Sequence, residues 1–179
     1  MTSTATAGTT TTSGTTTTSG TTTTSGTTTT SATTTTSATT TTSATTDGRT
    51  ITNPATLHDP SPFGYSHAVS APGELVFIGG QYASDATGAP VPGDFAAQVE
   101  LAFTNLRRAL EGVGLGFEHV VRLGSYIVDH DLAKLEVLGG ALHGAFGDRL
   151  PAQTLQGVAA LALPGMLFEI DAVAVRPAG

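Results

Sequence analysis

Leu150–Val175 reads LPAQTLQGVAALALPGMLFEIDAVAV, and the fold turns on how its two apolar runs are joined. Leu163-Pro164-Gly165 lies between them. Proline presets φ and glycine tolerates φ > 0, so this tripeptide reads as a turn or loop. The second run, Met166 to Val175, alternates. Phe168, Ile170, Ala172 and Ala174 share one phase, while Glu169, Asp171, Val173 and Val175 share the other. That is the pattern of a strand with two unlike faces. Two carboxylates in so apolar a strand are costly unless water or a partner satisfies them. Either they face solvent or they point into a site.

Upstream, Leu135, Leu138, Leu142 and Phe146 recur at helical spacing and predict a helix over about Leu132 to Phe146. Gly139-Gly140 would weaken that helix alone, so tertiary packing must support it. Asp129-His130-Asp131 stands directly before it. His-x-Asp spacing admits a metal reading, but carboxylates at this point more often cap a helix against its positive end. Val120 to Val128 reads as a strand with Arg122 and Ser125 embedded in it. A further helix opens at Asp94, a plausible N-cap, with Phe95, Val99, Ala102, Phe103, Leu106 and Leu110 as its apolar stripe. Gly112, Gly114 and Gly116 end it. Leu75 to Gln81 is a strand whose Gly79-Gly80 pair admits either close approach by a ligand or tight core packing. Thr50-Ile51-Thr52 reads as a short edge strand. In order these are strand, strand, helix, strand, helix, strand, strand, an α+β arrangement with helices packed on one face of a mixed sheet.

Composition sets the boundaries. Residues 1–46 are almost entirely Thr, Ser, Gly and Ala, with TTTTSG or TTTTSA repeating from Thr9 to Ala44. All seven basic and fourteen acidic residues therefore lie in 47–179, where a single domain is expected. The repeat has no apolar face to offset the entropy of ordering it, which predicts a disordered leader. An O-glycosylated stalk is the alternative, and a later translation start a third. The N-terminus has neither the basic start nor the apolar core of a secretory signal. A net charge of −7 argues against a nucleic-acid partner, because phosphate binding needs a positive surface. No run is apolar enough to span a bilayer. Without cysteine, disulfides, thiolate metal sites and a thiol nucleophile are excluded. The five histidines show no ligand spacing. No metal or other cofactor is expected, nor is there a Walker loop, HExxH, GxSxG or dinucleotide fingerprint.

Pro151-Ala152-x-Thr154, then Leu163-Pro164-Gly165, then Phe168-Glu169-Ile170-Asp171-Ala172-Val173-Ala174-Val175 resembles the closing signature of the reactive-intermediate deaminase (Rid, YjgF-like) family. Members typically read PARS or PART, then LP, then VEIEAIA. The resemblance spans roughly residues 50–176. It implies a chorismate-mutase-like sheet backed by two helices, a cytoplasmic homotrimer, and small-molecule sites in the clefts between subunits. In such sites an arginine binds the substrate carboxylate, a tyrosine lines the pocket and a glutamate positions water.

Carried onto this chain, the resemblance assigns Glu169 the catalytic role. Tyr65, in a Gly-Tyr-Ser segment similar to the family's GPYS, would contact substrate. Gly80 stands where many members have SGQ, without that serine hydroxyl. Gln153 replaces the arginine, and Leu155 replaces a cysteine carried by some members. A guanidinium holds a carboxylate by a charged planar fork, which an amide lacks. The expected activity is therefore hydrolysis of an enamine or imine metabolite other than the usual carboxylated one. Arg149, and less directly Arg122, are candidate substitutes for the missing charge. A non-catalytic ligand-binding or regulatory trimer is the alternative, and an RNA-cleaving translation inhibitor a weaker one.

Overall fold

A computed structural model describes residues 42–46 and 48–178 of the chain. Most of the expected leader lies outside the described residues. Its last five residues, Thr42–Thr46, form strand β1, paired antiparallel with β2 (Arg49–Asn53). β2 also pairs with β3 (Ala68–Ser70), so it is the middle strand of a three-stranded sheet and not the edge strand expected from its length. Reading only 50–52 as regular hid the partner on its N-terminal side.

The second sheet holds β4 (Glu74–Tyr82), β5 (Val120–Val128), β6 (Ala152–Val158) and β7 (Phe168–Arg176), in the order β4-β7-β5-β6. β5 and β6 are parallel and joined by a helix, as a parallel crossover requires. β7 runs antiparallel to both β4 and β5. The last strand of the chain thus inserts between two earlier ones, and its alternation sets the two faces of the sheet. Phe168, Ile170, Ala172 and Ala174 are buried in the core, while Glu169, Asp171 and Val173 lie half-buried on the other face.

Two helices cover the core face. α1 (Phe95–Gly112) buries the predicted stripe, and the Asp94 carboxylate accepts from the Ala97 N–H at 2.9 Å as its N-cap. α2 (Leu132–Phe146) buries Leu138, Leu142 and Phe146, with Asp131 accepting from the Lys134 N–H at 2.8 Å. The cap reading of Asp131 thus holds. α1 packs on β4, β7 and α2, which supplies the tertiary support that Gly139-Gly140 demanded. This is a mixed sheet backed by two helices, the chorismate-mutase-like arrangement. Gln98, 3% exposed, locks the turn before β7 onto α1. Its amide donates to Gly165 O at 2.9 Å and accepts from the Leu167 N–H at 2.8 Å. Among the described residues no helix covers the other sheet face, where Leu75 and Phe77 stand 57% and 74% exposed.

The three-stranded sheet and the loop leading into β3 meet the larger sheet through β3 against β5 and through hydrogen bonds. Buried Arg49 donates to Val120 O, and Ser66 bridges to Ala152 on the free side of β6. The Ser66 N–H donates to Pro151 O at 2.9 Å and its hydroxyl to Leu150 O at 2.6 Å. That junction carries the 58–67 loop to the edge of β6.

Candidate functional site

A cavity of about 480 Å³ opens between this loop, α2 and β6. The loop contributes His58, Phe63 and Tyr65; β6 contributes Gln153, Thr154 and Leu155; α2 contributes Leu135, Leu138 and Leu142; His130 closes one side. Apolar walls with a few polar groups are the usual make-up of a small-molecule site. Gly64, at φ 77°, gives the loop the left-handed turn that brings residues 58 and 65 face to face. A Cβ there would lie 2.9 Å from a Leu142 methyl, so the loop also needs glycine to pack on α2.

Gln153 has a defined environment. Its amide donates to the hydroxyl of Ser125, which is fully buried, at 2.8 Å. One amide proton is thereby engaged, leaving the second N–H and the carbonyl oxygen as a neutral donor and acceptor on the wall. Such a group can pair with a neutral polar ligand but offers a carboxylate neither charge nor a planar fork. Tyr65 shares a 2.7 Å hydrogen bond with His58 Nε2.

Glu169 and Gly80 are found elsewhere. Glu169 is cross-strand partner to Tyr82 and Tyr126, and Tyr126 is in turn partner to Gln156. Gln153, three residues from Gln156 on β6, therefore points to the opposite face from Glu169. Gly79 and Gly80 fall at a register shift between Ile78 and Gln81, and a Cβ on Gly80 would lie only 1.8 Å from Glu169 Oε1. The glycine makes room for that carboxylate. So the sequence-derived residues form two groups within one chain: Tyr65 with Gln153 at the cavity, and Gly80 with Glu169 on the open face.

Beside the second group, the Tyr126 hydroxyl donates to Asp171 at 2.7 Å, and Arg122 reaches the same carboxylate at 3.7 Å. The hydrogen bond to Asp171 and burial push the Tyr126 phenol above its usual 10.0. Arg122 is thus turned toward Asp171, away from the cavity. Arg149 is half-buried in the α2–β6 connection and takes no part in the cavity wall. Among the described residues no group of three or more His, Asp or Glu could hold a metal, and no helix is long and apolar enough to cross a membrane.

Sequence reasoning missed the His58–Tyr65 contact. The residues are seven apart, a spacing with no fixed geometry in a loop. The only advance sign was the density of rings in HDPSPFGYSH.

The model of the endoribonuclease L-PSP family, the Rid fold, matches residues 56–176. The chain belongs to the Rid family. Among Rid relatives, the protein DfrA of Myxococcus xanthus is 41% identical over 115 residues, covering 62% of this chain and 84% of DfrA. A bovine protein (Bos taurus) named 2-iminobutanoate/2-iminopropanoate deaminase is 32% identical over 113 residues, covering 63% of this chain and 80% of its own. The crystal structure of YyfB from Yersinia pestis, described as a Rid-family protein of unknown function, is similar with a TM-score of 0.68. It shares 38% identity and covers 72% of this chain and 99% of YyfB.

Proposed function

We propose that this Rid protein hydrolyses uncharged imines or enamines to a carbonyl compound and ammonia. The observation that carries the reading is the neutral Gln153, anchored to buried Ser125, at the place where the family resemblance puts a carboxylate-binding arginine. An imine N–H can donate to the Gln153 carbonyl oxygen. A carboxylate there would find neither charge nor fork, a deficit of about 2–4 kcal/mol relative to a largely desolvated guanidinium pair.

The two groups of residues support a site completed by assembly. Glu169 cannot reach Gln153 in its own chain, because the sheet lies between them. In a homotrimer the open face of one copy would meet the β6 edge of the next, and Glu169 of one would face Gln153 and Tyr65 of the other. Glu169 would hold the attacking water and take its proton. Gly80 leaves that carboxylate its room.

The test uses the full chain, with 2-iminopropanoate and with benzaldimine generated in situ by oxidising benzylamine with O2 and an amine oxidase. Wild type is expected to accelerate benzaldimine hydrolysis, and Glu169→Ala to lose about 10²-fold or more of that rate. Ligand binding without turnover of either imine would instead establish the binding-protein alternative. The RNA-cleaving alternative predicts retention of RNA that falls steeply with salt, which the net charge of −7 opposes.

A further inference from the structure

Adding water to a neutral imine needs two proton transfers, one from the attacking water and one to the nitrogen. Glu169 accounts for one. The cavity side contains a second titratable pair outside the family signature. His58 Nε2 and the Tyr65 hydroxyl are 2.7 Å apart, and both residues line the cavity. The pair is held in place. The His67 Nε2–H donates to His58 O at 2.8 Å, and the His67 N–H donates to Asn53 Oδ1 at 2.9 Å. The His58 ring meets Phe63 and His67 edge-on, with centroids 5.6 and 5.0 Å away. The Ser61 N–H and hydroxyl hold Asp59 below the usual carboxylate range, so an anion stands beside both imidazoles.

Resting on the imine-hydrolysis reading, we propose that His58 is a proton-relay residue for this site, supplying the nitrogen's proton through Tyr65. As the water oxygen bonds to the imine carbon, Glu169 of the neighbouring copy takes the water proton. The C=N π electrons pass to nitrogen, which takes the Tyr65 hydroxyl proton. The imidazolium of His58 refills Tyr65, leaving a neutral carbinolamine. On collapse the C–N bond breaks, Glu169 returns its proton to the departing ammonia, and the carbinolamine hydroxyl proton passes through Tyr65 to His58. Imine and water become carbonyl and ammonia, and every protein group ends as it began. His58 works through Tyr65, so it positions and relays, while Tyr65 touches the substrate.

The relay needs His58 protonated at the outset, so kcat/KM should fall as pH rises through the imidazole range. Other titratable groups near the pair are Asp59 and His67 in the loop and His130 before α2. α2 and β6 line the cavity only with leucines, Gln153 and Thr154. His130 is thus the one other cavity imidazole that could impose such a limb.

The deciding experiment is the pH profile of benzaldimine hydrolysis by the full chain, for wild type, His58→Gln, His130→Gln, Tyr65→Phe and His58→Gln/Tyr65→Phe. Glutamine can still hydrogen-bond Tyr65 but does not titrate. The expected result is a loss of about 10²-fold and of the alkaline limb in His58→Gln, a similar loss in Tyr65→Phe, and little further loss in the double variant. His130→Gln should keep the limb. An unchanged profile in folded His58→Gln, or a limb that disappears with His130, overturns the relay and leaves the deaminase reading standing. A wild type inactive on both imines overturns that reading and the relay with it. Should His58→Gln fail to fold, additive losses in Tyr65→Phe/His130→Gln with the alkaline limb kept in Tyr65→Phe would reject the relay.

Discussion

Gly80 has no side chain, and Glu169 occupies the space one would fill, so the pair gives a direct handle on the open-face half of the site. Gly80→Ala should push the carboxylate aside at little cost to folding, since the obstructing group is the far end of a flexible side chain. Imine hydrolysis is expected to drop about tenfold or more, with the urea midpoint almost unmoved. Tyr126 gives a second handle. Its phenol is raised because the neutral form donates to Asp171, so the native state favours the protonated tyrosine. That contribution is whole below the ordinary pKa of 10.0 and is lost as pH climbs through the raised native value. After allowing for solvent screening, Tyr126→Phe should cost about 0.5–1 kcal/mol at about pH 8, with the difference shrinking well above pH 10; urea unfolding across that range reads it. Glu169, Tyr65 and Gln153 stand out in the sequence as candidates because short motifs carry them, and the structure shows where each lies. Their separation into two groups was not legible there. It depends on the parity of Gln153 against Tyr126 and Glu169, and cross-strand register is not written in either strand alone.

At the scale of elements, the helices were the most legible part. An N-cap aspartate and a stripe of 3.6 periodicity are local signals, and α1 begins and ends where Asp94 and Gly112 suggested. The strands were legible as runs, but their neighbours were not, since β7 inserts between β4 and β5 by long-range packing. β1 could not be read at all, because a threonine tract offers strand propensity without a face to bury. Gln98 was hidden too, a polar residue on the buried side of α1 whose purpose appears only when Gly165 and Leu167 arrive from the far end of the chain. Gln98→Ala would leave a carbonyl and an N–H without their partner. Equilibrium unfolding should show a loss of about 1–3 kcal/mol, and hydrogen exchange should rise first at Leu167.

At the scale of the whole molecule, the sheet face opposite the helices carries exposed apolar side chains. Phe77 and Leu75 stand exposed on it, and the same face carries Glu169. If the site is completed between copies, association and activity must fail together. Phe77→Glu should shift sedimentation from trimer to monomer and abolish imine hydrolysis, even though Phe77 lies outside the cavity. A fully active monomer would show that Glu169 has no part in the reaction.

On the proposed function, Gln153 turns a carboxylate site into one for uncharged imines. The measurement that tests it most directly is the ratio of kcat/KM for benzaldimine to that for 2-iminopropanoate, in wild type and in Gln153→Arg. The neutral amide predicts a ratio well above one for wild type, falling about tenfold or more in Gln153→Arg as the carboxylate gains a charged partner. A wild type that prefers 2-iminopropanoate, with a ratio unmoved by Gln153→Arg, would contradict it.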